Sequence, residues 1–350
     1  MPARQPFFLP GGQKNKLVMK QILNHLFEHK SFNSQEARTI LTNISSGKYN
    51  ASQMAAFMTA YCMRSITVDE LEGFRDAMLD LCLSPRLDQY ALIDLCGTGG
   101  DGKDTFNIST LASFVVAGAG YLVAKHGNYG VSSGCGSSNV MEFLGYQFSN
   151  SPAHLQKSVE KAGICFLHAP LFHPAMKNVA PIRKELGVKT FFNMLGPMIN
   201  PAKPKYQVVG VFSLELARLY AYLYQKTDKQ YTILHGLDGY DEISMTGGFK
   251  TFSKNGEFVY TPEQLGFERI QPLQIGGGST IKESADIFMN VLTGKGTTAQ
   301  NDVVLSNAAI GIKTITPQKS FADCYYEAEA SLMNKRALFS FNTLLDIGNE

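Results

Sequence analysis

The sequence lacks any run of about 18 apolar residues, so nothing in its 350 residues is long enough to cross a bilayer as a helix. Met1 to Gly12 holds proline and glycine but no apolar stretch of signal-peptide length. A cytoplasmic protein with no membrane partner is the expectation. There is also no excess of one charge: 32 Lys and Arg stand against 30 Asp and Glu, a formal net charge of +2, spread without long blocks. This excludes the broad basic footprint of a nucleic-acid binder, while leaving room for a local basic pocket around a phosphate ester. Cysteine is sparse and scattered. Cys62, Cys82, Cys96, Cys135, Cys165 and Cys324 form no C-x-x-C pair and no Cys/His set at zinc spacing. Small buried thiols in a reducing compartment follow. Internal repeats and low-complexity segments are missing too.

What is present divides into two patterns. Residues 14–82 read as helices only. Val18, Ile22 and Leu26 make an amphipathic stripe, and three helix starts carry capping-box pairs: Asn33 with Glu36, Asn50 with Gln53, Thr67 with Glu70. This helical unit ends near Ser84-Pro85. From Tyr90 onward, apolar runs of strand length alternate with helical stretches. The runs 90–96, 121–124, 164–167, 206–212 and 231–234 predict strands. Segments 109–119, 215–226 and 302–311 predict helices. The alternation argues for an α/β fold with a mostly parallel sheet. Residues 173–190 read as helical and interrupt the strand series.

Three strand ends carry the chemistry. The first is Gly97-Thr-Gly-Gly100-Asp101, followed by Asn107-Ile108-Ser109-Thr110 at a helix start. Glycines let main-chain N–H groups approach an anion closely, and the helix adds free donors and the positive end of its dipole. A pyrophosphate or sugar phosphate is the natural guest. The loop is neither a Walker A sequence nor G-x-G-x-x-G, so motif favours neither an NTPase nor a dinucleotide fold. The second strand end is Lys125-His126-Gly127-Asn128, running into a Ser/Gly-rich loop that supplies a point charge, hydroxyls and amides. The third is the segment after 231–234, where Asp241 and Glu242 are adjacent. Two neighbouring carboxylates beside a phosphate site suit Mg2+, which takes one or two carboxylates plus substrate oxygens and water.

Together with His173-Pro-Ala-Met, Val179-Ala-Pro-Ile-Arg183, Phe192-Asn-Met-Leu-Gly-Pro197 and Asn200-Pro201, these segments resemble the anthranilate phosphoribosyltransferase family from about residue 15 to the C-terminus. The resemblance implies the class II, nucleoside phosphorylase-like fold: a helical domain over 1–84, joined by about 172–190, and an α/β domain over 85–171 and 191–350. It implies a homodimer through the helical domain, Mg2+ as cofactor, and PRPP and anthranilate as substrates. Carried over by motif, Gly97, Gly100, Asp101, Thr105, Asn107, Ile108, Ser109 and Thr110 would hold PRPP. So would Lys125, His126, Gly127, Asn128, Tyr129, Gly130, Val131, Ser132, Ser133 and Ser137. Ser109, Asp241 and Glu242 would bind Mg2+. Gly97, Asn128 and Arg183 would contact anthranilate, with Arg183 on its carboxylate. No covalent intermediate or general base is expected, and His126 is the candidate to position the amine.

The chain departs from the family pattern at Tyr129, where Arg is common, and at Gly134, where Lys is common. Two basic groups near the phosphates are thus absent, and Lys103 is the candidate to replace them. Two other readings stand beside this one. A pyrimidine nucleoside phosphorylase would share the fold but has no use for the acidic pair. A non-catalytic nucleic-acid-binding paralogue would not need the metal positions and is disfavoured by the near-neutral charge.

Overall fold

The computed structural model describes residues 18–130 and 135–349, so Val131, Ser132, Ser133 and Gly134 lie outside the described residues. The chain forms two compact units. One is helical and runs to Leu83, joined by His173–Ile199. The other spans Ser84–Phe172 and Asn200 to the C-terminus. Among the described residues, no helix is long and apolar enough to cross a membrane.

In the helical unit, the helices Ser34–Ser45, Ala51–Cys62 and Val68–Leu81 each start on a closed capping box, at Asn33/Glu36, Asn50/Gln53 and Thr67/Glu70. Each box satisfies two main-chain donors that a helix start leaves open. Glu70 does more than cap. Its fully buried carboxylate also accepts from Phe32 N–H and Tyr61 O–H and pairs with Arg64. The core of the unit is aromatic: Phe191, supplied by the returning segment, stacks on Phe74 at 4.6 Å and meets Phe57 and Tyr61 edge-on or tilted. That segment holds the helix Ala180–Leu186, which ends on Gly187 in the left-handed region.

The second unit is built on a seven-stranded sheet. Its strands are β1 (Ile93–Gly97), β2 (Val123–Gly127), β3 (Ile164–His168), β4 (Tyr206–Gly210), β5 (Gln230–Gly236), β6 (Phe249–Ser253) and β7 (Gly256–Tyr260), ordered β3-β2-β1-β4-β5-β6-β7. The pairs from β3 through β5 are parallel, and β6 and β7 add an antiparallel edge. The five predicted strands are present with shifted ends. β1 begins after a turn in which Tyr90 N–H bonds Leu87 O, and β2 runs on past Ala124 to Gly127. The β6–β7 hairpin was not predicted. The helix Ile108–Gly118 is buried almost all round and packs under β1. Each of its fully buried Leu111, Phe114 and Val115 contributes about 1.5–3 kcal/mol. The helix Thr298–Ile315 is longer than its predicted core and packs against both β4 and β5.

Candidate active site

In the strand order, winding reverses between β1 and β4. Ligands of open α/β sheets bind outside the carboxyl ends of strands at such a switch point. Those ends here are Gly97 and Gly210, register partners across the ladder. Both positions exclude a side chain because the turn after β5 lays Asp241 over them. A Cβ on Gly210 would lie 1.5 Å from the Asp241 carbonyl oxygen, and one on Gly97 would lie 2.3 Å from Asp241 Oδ2.

The two acids reach different main-chain donors. Gly99 N–H donates to Asp241 Oδ2 at 2.6 Å, and Ser109 N–H donates to Glu242 Oε1 at 2.9 Å. Ser109 sits in the first turn of the helix Ile108–Gly118, so Glu242 occupies the positive end of that helix. The structure thus brings the first and third predicted turns together around one point. Burial pushes both carboxyls above the ordinary range. Asp101 adds to the rise at Asp241, Asp241 adds to the rise at Glu242, and the two amides oppose it. None of the groups that dominate this balance is a cation.

Among the described residues, no three His, Cys, Asp or Glu side chains gather into a set that holds a metal unaided. Asp241, Glu242 and the Ser109 hydroxyl form a partial, hard-oxygen set. Mg2+ fits such a set, because it retains waters and takes its remaining oxygens from a substrate phosphate.

The other predicted residues of the first loop are pinned around this point. Gly99 and Gly100 have φ of 66° and 78°, a conformation that costs glycine nothing and lets the loop fold back on β1. Asp101 Oδ1 accepts from Lys103 N–H at 3.1 Å. Thr105 bridges Gly276, and Phe106 N–H donates to Ile275 O at 3.2 Å. Asn107 is the helix N-cap, yet its side chain makes no cap bond, and its Nδ2 lies 3.5 Å from Cys135 O. Ile108 and Thr110 are buried. The Lys103 ammonium lies 4.7 Å from the centre of the Tyr240 ring, beside the acidic turn.

The second loop is held differently from the expectation of a free phosphate-binding lysine. Lys125 is only 3% exposed, and its Nζ donates to Leu95 O at 2.7 Å. His126 is buried, and its main-chain N–H donates to Asp94 Oδ1 at 3.3 Å. Asp94 Oδ2 also accepts from Asn200 Nδ2 at 2.9 Å, giving the Asn200-Pro201 motif a structural task. Gly127 ends β2. Asn128 O accepts from Ser138 N–H at 3.1 Å and from the Ser137 hydroxyl at 3.4 Å. Tyr129 donates its hydroxyl to Glu142 Oε1 at 3.2 Å and meets the His168 ring edge-on at 4.8 Å. Gly130 N–H donates to Asn139 Oδ1 at 2.9 Å.

Arg183 belongs to the helical unit. Its Nη2 donates to Asn193 Oδ1 at 3.2 Å, its guanidinium lies 5.3 Å from the centre of the Phe192 ring, and burial pulls its pKa below the usual value. Among the described residues it has no carboxylate partner.

Comparison with known proteins decides the family. The glycosyl transferase family helical bundle domain matches residues 20–82, and the a/b domain of that family matches residues 89–338. The anthranilate phosphoribosyltransferase of Christiangramia forsetii is 59% identical over 329 residues, 93% of this chain and 98% of its own. That of Flavobacterium psychrophilum is 64% identical over 297 residues, 85% of this chain and 90% of its own. The chain belongs to the anthranilate phosphoribosyltransferase family. Two solved structures of the family bear this out. The Thermus thermophilus enzyme matches at a TM-score of 0.87 and 31% identity, covering 94% of this chain and 99% of its own. The Saccharomyces cerevisiae enzyme, solved in complex with PRPP and Mg, matches at 0.86 and 26%, covering 96% and 99%.

In this member of the anthranilate phosphoribosyltransferase family, the hydrogen bonds also mark residues that motif reasoning overlooked. Asp94, Asn139 and Asn307 each hold the main chain of a predicted loop. Their signal in sequence is faint, because each bonds main chain that lies from 9 to 64 positions away.

Proposed function

We propose that this chain transfers the 5-phosphoribosyl group of PRPP to the amine of anthranilate, giving N-(5-phosphoribosyl)anthranilate and diphosphate, a step of tryptophan biosynthesis. The observation that carries it is the adjacent carboxylates of buried Asp241 and partly buried Glu242, each accepting from a main-chain amide, folded over the glycine ends of β1 and β4. Two adjacent acids, each with its carboxyl pushed up by burial and by a neighbouring acid, suit a site that takes a cation from outside.

Asp241, Glu242 and Ser109 would hold Mg2+, which when bound neutralises the diphosphate and makes it a better leaving group. The diphosphate would lie against the glycine loop and the positive end of the Asn107–Thr110 helix start, beside the Gly99 and Ser109 N–H groups that hold the two acids. Gly127, Asn128, Tyr129, Gly130 and Ser137 would border the phosphoribosyl end, and Lys103 would supply the charge that Tyr129 and Gly134 do not. The amine of anthranilate is already neutral near pH 7, so alignment and electrostatics dominate and no base is needed. Asn128 and Gly97 border the reacting groups. His126 acts through its place at the end of β2.

Arg183 binds the benzoate carboxylate. Its lack of an acidic partner among the described residues and its place over the Phe192 ring suit a bidentate, charge-assisted bond. The test is the loss of anthranilate fluorescence with PRPP and Mg2+ present, each omitted in turn. Turnover should require all three. Arg183→Ala should raise the KM for anthranilate by about 10–100-fold, the value of one charge-assisted pair at 1.5–3 kcal/mol, and the KM for PRPP by less than about threefold. Turnover without Mg2+ would defeat the reading, and equal changes in both KM values would defeat the role of Arg183.

A homodimer through the helical unit and a cytoplasmic location complete the proposal. Val18, Phe27 and Met63 are 51%, 63% and 83% exposed on that unit and are the apolar side chains a second copy would cover. Sedimentation at micromolar concentration should give twice the chain mass, and Phe27→Glu with Met63→Glu should give a monomer. A wild-type monomer would refute this part alone.

A further inference from the structure

The carboxylates lie in a turn beyond the end of β5, and one side chain from a helix outside it grips the residue that follows them. Asn307 lies in the middle of the helix Thr298–Ile315, on a face otherwise made of residues such as Val303, Val304, Ala308 and Ile310. It is 6% exposed and makes three bonds. Its Oδ1 accepts from Ile243 N–H at 3.1 Å, and its Nδ2 donates to Ile243 O at 2.9 Å and to Val303 O at 2.8 Å. Ile243 follows Glu242 directly. Grasping both its N–H and its C=O fixes the two peptide planes that flank it, and with them the direction in which the preceding Asp241-Glu242 pair leaves the turn.

We propose that Asn307 is a positioning residue for the metal carboxylates, a side-chain substitute for a strand that aims Asp241 and Glu242 at the phosphate loop. The inference rests on the proposed PRPP-and-Mg2+ reading of the site. Its physical content is preorganisation. Groups that orient metal ligands are worth about 10–100-fold in metal affinity or activity when removed. A polar amide buried in an apolar helix face is otherwise a liability that leucine would cure. All of its capacity to bond outside its own helix goes to Ile243.

Two variants test this. Asn307→Leu removes every bond at nearly constant volume. Asn307→Asp keeps an acceptor for Ile243 N–H and loses both donations. PRPP is titrated calorimetrically into each protein at fixed Mg2+ with anthranilate omitted, so the readout is binding rather than turnover. Steady-state kinetics then give the Mg2+ concentration for half-maximal rate and the two KM values. Asn307→Leu should bind PRPP about 10-fold or more weakly, need more Mg2+ and lose kcat, with the KM for anthranilate within about twofold of wild type. Asn307→Asp should fall between. If Asn307→Leu binds PRPP as wild type does, the proposal is overturned even where its melting temperature has dropped, because the residue is then a tether and nothing more. If Asn307→Leu does not fold, Asn307→Asp decides by the same two outcomes. A wild-type protein that binds no PRPP with Mg2+ would instead overturn the functional reading, and this inference with it.

Discussion

Glu242→Gln should lower kcat/KM for PRPP by about 10²–10³-fold while making the metal-free protein more resistant to heat. The two effects have one origin. Gln keeps an oxygen to accept from Ser109 N–H, so the local hydrogen bond survives. What disappears is a negative charge, partly buried beside Asp241, with no cation among its dominant partners. On the proposed reading that charge holds a hard cation, and losing about 3–4 kcal/mol of transition-state stabilisation gives the stated loss in rate. Without metal the same charge is a burden. Burial and the neighbouring acid raise the Glu242 carboxyl well above its ordinary range. A carboxyl raised in the folded state contributes stability that is fully present below the unfolded value, about 4.3, and lost as pH rises from there toward the folded value. The variant should therefore melt on the order of 2 °C or more above wild type near pH 7 in EDTA, with the gap closing toward pH 4. Scanning calorimetry at the two pH values reads it. A variant less stable than wild type at pH 7, or one retaining a third of wild-type kcat/KM, would mean that the carboxylate is a structural partner and not a metal ligand.

How far the sequence carried the site depended on whether a residue spoke through a pattern or through a distant contact. The capping boxes were legible because each is closed within four residues. The five parallel strands were legible as apolar runs, but their ends were not. Hydropathy stops at Ala124, whereas β2 continues through Lys125 and His126, both buried because Asp94 and Leu95 on the neighbouring strand give them partners. The β6–β7 hairpin was invisible for the opposite reason. β7 is an exposed edge, Gly-Glu-Phe-Val-Tyr, with no buried face to impose alternation. The adjacency of Asp241 and Glu242 and their place after a strand are visible in sequence, and they carry the metal proposal. That Gly97 and Gly210 are both glycine on account of Asp241 could not, since the clash joins residues 144 and 31 positions away from it. Lys125 marks the limit of reasoning from residue type. A lysine after a strand suggests a phosphate contact, but its ammonium is turned to a carbonyl inside the sheet. Asn307 was hidden inside a helix recognisable only by its apolar residues.

Gly97→Ala should cost about 10² in kcat through steric displacement alone. The position does not have positive φ, so alanine brings no backbone strain. Its methyl would meet Asp241 Oδ2 at 2.3 Å and Cγ at 2.9 Å, where ordinary contact begins near 3.4 Å. The carboxylate must retreat by about an ångström, off the Gly99 N–H that now fixes it, and a misplacement of that size is worth about 10²-fold in rate. Overpacking should cost about 1–3 kcal/mol of stability, leaving a folded protein to assay. Gly99→Ala is the matched comparison. Nothing lies within 4 Å of its added methyl, but its φ of 66° is strained for alanine by about 1–2 kcal/mol. The two variants thus lose similar stability by different routes, and only the first pushes directly on the metal acid. Single-turnover rates with saturating PRPP and anthranilate, beside urea unfolding of both proteins, separate the routes. Equal rates for the two variants would show that the place of Asp241 over the end of β1 matters to the fold and not to the chemistry.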